Sequence, residues 1–322
     1  MASLTARATR TPMFRASISS RQPLSRSLTT RATSYKLNTG AKIPQLGSEY
    51  FKIPSLRERL SARVYDVEKE KLWCDDYHPD DVERALDDSL RDLDTPYVDL
   101  LLVHYPCTSK RGSDRFPRDA DGRMILGETT YVETWRAMEK LTSTGKAKAI
   151  GVSNFSKDEI ETLLRETSTV PAVHQMEAHP YLQQKDFNEC LRAKGIHVVQ
   201  FSPLGNMNDF YRQTGWSKQI AHMMRIIDQP ILKDIGQKYG KSPVQVVLAW
   251  CINSGRSVIP KSVVDWQIEE NLEADFELQL EDMAQIATLD AQARFNDPSL
   301  DYEWRLYSDL EGIHGTMRGK TH

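Results

Sequence analysis

Nowhere in this 322-residue chain do two glycines stand one residue apart. A GxGxxG phosphate turn is therefore missing, as is a Walker loop, and both absences argue against a doubly wound nucleotide-binding sheet. Cysteine is scarce. Cys74, Cys107, Cys190 and Cys251 form no CxxC pair, so they read as reduced, partly buried thiols with neither a disulfide framework nor a zinc site implied. The HxxxxH spacing of His174 and His179 suits neither a strand face nor a helix turn as a metal pair. No apolar run approaches the roughly 18 residues of a membrane span. A net charge of −3 gives no reason to expect nucleic acid or an acidic membrane surface as partner. Acidic residues are absent from 1–48, where Arg7, Arg10, Arg15, Arg21, Arg26 and Arg31 stand among many Ser and Thr. That composition predicts a mitochondrial presequence over 1–34. A disordered basic tail on a cytoplasmic protein is the alternative.

About 285 residues remain, enough for one large α/β domain over 35–322. The stretch DLLLVHYP at 99–106 reads as a buried parallel strand whose last side chain, His104, leaves the core. A packed core histidine is the plain alternative, but other apolar runs repeat the pattern. AKAIGVSN ends at Ser153 and Asn154, AVHQMEAHP is centred on Gln175, IHVVQFSPLG turns at Phe201 and Ser202, and SVIPKS ends at Lys261 and Ser262.

Helical patterns separate these runs. Pro79 starts one that places Val82, Ala85, Leu86, Leu90 and Leu93 on one face. A second carries Val132, Trp135, Met138 and Leu141 and ends at Gly145. Ser156 and Glu159 form a capping box for the third. Gly195 stops a fourth, and Ser242–Pro243 to Gly255 frames another. Alternation without hairpins predicts right-handed βα units in a parallel barrel with its site at the strands' C-terminal ends. The polar excursion 107–130 after His104 is long enough for a substrate lid. GVSNF at 151–155 fails as a GxSxG nucleophile elbow because Phe155 replaces the second glycine.

LDTPYVDLLLVHYP, AIGVSNF, AVHQMEAHPYLQ, FSPLG and IPKSV, in this order and spacing, resemble the aldo-keto reductase family over roughly 35–309. The nearest likeness is to its fungal branch near the glycerol dehydrogenases. The resemblance implies a (β/α)8 TIM barrel that binds NADP(H) without a Rossmann domain and moves hydride reversibly between the nicotinamide and an aldehyde or ketone. Negative charge then gathers on the carbonyl oxygen and must be protonated or held by preplaced donors. By resemblance His104 orients the carbonyl, Tyr65 is the acid and Lys71 lowers its pKa. Leu60 stands where the family has the aspartate that pairs with the lysine. Taken alone, Lys71 reads as a solvated residue of the run EKEK and Tyr65 as an amphipathic surface tyrosine.

The resemblance also assigns a cofactor rim. Ser153, Asn154 and Gln175 take the carboxamide and Phe201 stacks on the ring. Ser202, Leu204 and Gly205 follow the pyrophosphate, Lys261 and Ser262 meet the 2′-phosphate, and Asn271 meets the adenine. Gln267 replaces an arginine that often closes on that phosphate, so NADP(H) is preferred and NAD(H) kept as the second cofactor. The expected partner is a small carbonyl or alcohol substrate, and the expected state a monomer. Trp216, Tyr302, Trp304 and Tyr307 are offered as pocket liners or as ordinary packing.

One departure concerns length. A barrel spends about 30 residues on each βα unit, yet only 23, residues 48–70, separate Gly47 from Lys71. Either coding sequence has been lost at splice junctions or the barrel is abbreviated in its first three βα units, and in the second case sheet edges are expected beside the strand leading to His104 and near the first strand. An NADP(H)-dependent carbonyl reductase of polyol or secondary metabolism, toxins included, is the leading reading. A catalytically impaired nucleotide-binding barrel acting as a regulatory or partner-binding subunit is the alternative, and a barrel without a stable fold the third.

Overall fold

The computed structural model describes residues 33–47, 71–112, 114–207 and 215–312. The chain begins with a hairpin of β1 (Ser34–Lys36) and β2 (Lys42–Pro44), paired antiparallel with Tyr35 opposite Ile43. Thr33 fastens its start through the Asp275 carboxylate, which accepts from its backbone N–H at 3.1 Å and its hydroxyl at 2.8 Å. Six parallel strands follow, hydrogen-bonded in chain order. They are β3 (Lys71–Leu72), β4 (Leu101–Val103), β5 (Ile150–Ser153), β6 (Val173–Glu177), β7 (His197–Phe201) and β8 (Ser257–Val258). Beyond β8, Leu46 makes a parallel bridge to Val258, with the Val258 N–H donating to Gln45 and the Gly47 N–H to Val258. Strict chain order with parallel neighbours is the topology of a (β/α)8 barrel.

Among the described residues the ring stays open between Gly47 and Lys71. Lys71 and Leu72 pair with β4 opposite Leu102 and Val103, so the strand leading to His104 is covered on that side.

Strand alternation divides the core. Leu100, Leu102, Val173, Val199 and Ile259 face the barrel interior, where Leu37 and Ile43 of the hairpin close the lower end. Leu101, Val103, Ile150 and Val152 face the helices instead. Gly151 is required where β5 runs close to its neighbours: a Cβ there would lie 2.5 Å from the Val173 carbonyl oxygen and 2.7 Å from a Leu102 methyl.

The helices form where local chemistry asks for them. In α1 (Pro79–Leu93) the proline occupies the first turn, where its missing N–H costs nothing, and Val82, Ala85, Leu86 and Leu90 are buried. Burying one such leucine contributes about 2 kcal/mol. Capping boxes open α2 (Tyr131–Thr144) through Thr130 and Glu133, and α3 (Lys157–Glu166) through Ser156 and Glu159. Then come α4 (Lys185–Ala193), α5 (Pro230–Tyr239) and α6 (Pro243–Asn253), the last opened by a Ser242–Gln245 box and buried over most of its surface. Two short helices, α7 (Asp265–Leu272) and α8 (Leu280–Ala287), complete the outer layer.

Two expectations change in detail. The run at 98–103 enters the β4 ladder only from Leu101, while Val98 joins Ala147 by an isolated bridge. The excursion 107–130 is folded back on itself, with bridges Ser109–Leu126 and Arg118–Met124 and a buried Met124. All four cysteines are free. Hydrogen bonding to Cys74 and burial push the Cys107 thiol well above its usual range.

Candidate active site

The strands deliver their side chains to one mouth. Lys71 opens β3, and with Gly47 and Gln175 it lines a cavity floored by Leu102, Val199 and Ile259. His104 follows β4 directly, and its N–H continues the ladder to the Leu72 carbonyl at 3.3 Å. Its partly buried ring lies edge-on to Trp73 at 4.8 Å and parallel to Tyr105 at 4.7 Å. The excursion walls this corner, since Trp73 Nε1 donates to the Arg115 carbonyl and the Arg115 guanidinium sits 4.6 Å over the indole. Burial, then the Lys71 charge, then Arg115 hold the His104 imidazole well below its ordinary pKa. It is neutral at physiological pH, with one N–H to donate.

Asn154 joins two strand ends. It takes a left-handed φ of 63°, a conformation asparagine tolerates better than most residues, and its backbone N–H donates to the Gln175 carbonyl at 3.0 Å. Its Nδ2 donates to the His104 carbonyl at 3.0 Å and to Ser153 Oγ at 3.1 Å. Its Oδ1 accepts from the Tyr307 hydroxyl at 2.8 Å. One lone pair of Oδ1 and the Ser153 hydroxyl hydrogen are thereby left over. Beside them Gln175 Oε1 is buried without a partner.

The C-terminal segment 293–311 lies across these strand ends. The buried Glu177 carboxylate accepts from His179 Nε2 at 2.9 Å and from the backbone N–H groups of Phe295 at 2.8 Å and Asn296 at 2.9 Å. Burial alone would raise its pKa, but the His179 bond, the His179 and Arg294 charges and the Phe295 N–H together lower it. Farther along, Trp304 Nε1 donates to Glu159 at 2.9 Å. The Asp309 carboxylate accepts from the Lys157 and Asp158 N–H groups at the start of α3.

The rest of the rim is arranged as follows. Phe201 ends β7 half-buried, and Ser202 at φ 50° and Gly205 at φ 61° form a turn closed by the Gly205 N–H on the Ser202 carbonyl. Ser202 Oγ accepts from Asn296 Nδ2 at 3.4 Å. Leu204 is half-buried and packs on one side against the α5–α6 core. Lys261 is exposed. The Ser262 hydroxyl donates to Gln267 Oε1 at 2.6 Å and accepts from the Val264 N–H at 3.1 Å. Asn271 is half-buried in the last turn of α7.

Tyr65 and Leu60 lie outside the described residues. Of the offered pocket liners, Tyr302 and Tyr307 are buried packing at 4% and 2% exposure, Trp304 is tied to Glu159, and Trp216 Nε1 donates to Asp301. His174 and His179 diverge, to the Phe155 carbonyl and to Glu177. Among the described residues no group of His, Cys, Asp and Glu is placed to hold a metal, and no helix is long and apolar enough to cross a membrane. Glu177 and Tyr307 escape a sequence reading because the Phe295 and Asn296 N–H groups and the Asn154 amide that they bond lie 118, 119 and 153 residues away. The only hint at Glu177 was a charged residue ending an apolar strand.

Comparison with known proteins bears on the family and the fold. The sequence model of the Aldo/keto reductase family matches residues 57–291. An uncharacterized oxidoreductase of Schizosaccharomyces pombe is 39% identical over 235 residues, 72% of this chain and 70% of its own length. Human aldo-keto reductase family 1 member A1 is 34% identical over 279 residues, 84% of each chain. The structure of the aldose reductase from Schistosoma japonicum superposes with a TM-score of 0.74 at 27% identity, over 85% of this chain and 98% of that one. With its barrel, its ordered strand-end motifs and these relatives in agreement, the chain belongs to the aldo/keto reductase family of oxidoreductases.

Proposed function

We propose that this protein reduces an aldehyde or ketone to the alcohol, reversibly, with NADP(H) as cofactor. One observation carries the reading. The Ser153 hydroxyl hydrogen, the second lone pair of Asn154 Oδ1 and the unpartnered Gln175 Oε1 offer one donor and two acceptors, the complement of a primary carboxamide. These groups fit a nicotinamide, with Phe201 as an aromatic face beside them. When bound, the cofactor supplies hydride to the substrate carbon.

The protein's part is to orient the substrate and stabilise charge. The neutral His104 donates to the substrate oxygen, and the Lys71 charge close to it favours the negative charge that develops there. Tyr65 is proposed as the proton donor by resemblance. Trp73, held by Arg115 and Phe116, narrows the mouth beside His104 and limits water. At the far end Lys261 provides a point charge for a 2′-phosphate, with Asn271 proposed for the adenine and the turn 202–205 for the pyrophosphate. NAD(H) is the competing cofactor, because Gln267 brings no charge and its Oε1 already accepts from Ser262.

The likeness to fungal glycerol dehydrogenases points the substrate to small polyol aldehydes, with toxin-type secondary metabolites as the second class. We further propose a monomer, directed to mitochondria by residues 1–34. A second reading, a nucleotide-binding subunit with impaired catalysis, is favoured by Leu60 at the aspartate position. Titration with NADPH and NADH followed by an aldehyde panel separates the readings. Saturable binding weakened by Lys261→Ala, with turnover abolished by Tyr65→Phe, supports the reductase. Binding without turnover supports the subunit, and a folded protein that binds neither dinucleotide sinks both.

A further inference from the structure

We propose that Tyr307 is a positioning residue for the cofactor carboxamide, acting from the C-terminal segment through Asn154. The inference rests on the dinucleotide-binding reading of the rim. The His104 carbonyl can only accept, so the Asn154 atom facing it is the NH2 group. Oδ1 is therefore turned to Tyr307, and the phenol must donate. Both residues are 2% exposed, so no solvent molecule readily substitutes for that hydroxyl. The bond uses one lone pair of Oδ1 and leaves the other, with the unpartnered Gln175 Oε1, for a carboxamide N–H.

The surroundings hold Tyr307 in place at some cost. Its φ of 58° is an outlier for a bulky aromatic residue. Arg294 lies 4.0 Å over its ring and is itself bonded to Gln184 Oε1 at 3.2 Å and to the Glu311 carbonyl at 2.9 Å. Two residues on, Asp309 docks the chain onto the first turn of α3. Three residues back, Trp304 docks on Glu159. A strained tyrosine pinned on both sides, with its hydroxyl directed at one amide oxygen, matches a role in orienting that amide.

The test is calorimetric titration of wild type and Tyr307→Phe with three ligands. These are NADPH, its 3-acetylpyridine analogue, which has a methyl ketone and no carboxamide N–H, and 2′-phospho-ADP-ribose, which lacks the ring. Loss of one buried neutral hydrogen bond is expected to weaken NADPH about tenfold and the other two less than twofold. Asp309→Asn, which loosens the segment without touching the site, should show the same selectivity at smaller size and serves if Tyr307→Phe does not fold. Equal losses for all three ligands, or none, overturn the positioning role alone. A wild-type protein that binds no dinucleotide overturns the cofactor reading and this inference with it.

Discussion

Asn154 ties the end of β5 to the end of β4 by donating from Nδ2 to the His104 carbonyl at 3.0 Å. The bond sits directly behind the imidazole that the proposed chemistry needs. Asn154→Ala removes it, strands the buried Tyr307 hydroxyl and puts alanine at a φ of 63°. A loss of about 3 kcal/mol of stability is expected from an unsatisfied buried group plus left-handed strain. A urea melt whose midpoint falls with an unchanged slope would agree, and a loss below about 0.5 kcal/mol would refute it.

His104 itself should affect turnover rather than binding. Its ring lies against Trp73 and Tyr105, and the cofactor rim on β5 and β6 does not depend on it. His104→Gln is expected to lower kcat about 100-fold, the usual cost of one oxyanion donor, while dinucleotide affinity stays within about twofold. Because burial and the Lys71 and Arg115 charges hold its pKa well below 6.5, wild-type turnover should show no histidine limb between pH 6 and 8. A limb in that range that disappears in His104→Gln would contradict the assignment.

The parts of this architecture that were legible in the sequence are the local ones. Pro79, the Ser156–Glu159 box, Gly145 and Ser242 act on their own turns, and each does in the structure what its chemistry predicts. The strand-end motifs were legible because a barrel strand must expose its last side chain. What escaped was nonlocal. Tyr307 reads as a pocket aromatic until folding brings it to Asn154, 153 residues away. Leu204, in a turn with left-handed Ser202 and Gly205, rests on one side against the α5–α6 cluster, a contact that spacing cannot reveal. Trp73 meets Arg115 across 42 residues, a contact that no local pattern announces.

Gly151 offers a test of the barrel interior. Its neighbours at the Cβ position are the Val173 backbone oxygen at 2.5 Å and Leu102 at 2.7 Å, and backbone cannot rotate away. Gly151→Ala should force β5 from β6 and cost about 2–3 kcal/mol, the range for overpacking a tight core. Chemical denaturation measures it. An unchanged midpoint would mean that the two strands are farther apart than described.

Acid should unfold the protein in two distinct windows. His174 and His197 are buried bases with pKa values lowered to about 4, chiefly by desolvation. His174 Nε2 already donates to the Phe155 carbonyl, so a second proton must go to Nδ1, which faces no acceptor. The unfolded chain takes these protons near pH 6.5 and the folded one only near pH 4. Stability is therefore complete above about pH 6.5 and falls by up to about 3 kcal/mol per histidine on the way down to pH 4. Glu177 acts lower. Its folded pKa is lowered, so its contribution is present above the unfolded value of about 4.5 and is lost as pH falls through the folded one. Urea midpoints measured from pH 7.5 to 3 should fall in both windows. His174→Gln should flatten the upper window by about one proton's slope, and Glu177→Gln should flatten only the lower. If His174→Gln leaves the upper slope unchanged, the buried imidazole is not the group being titrated.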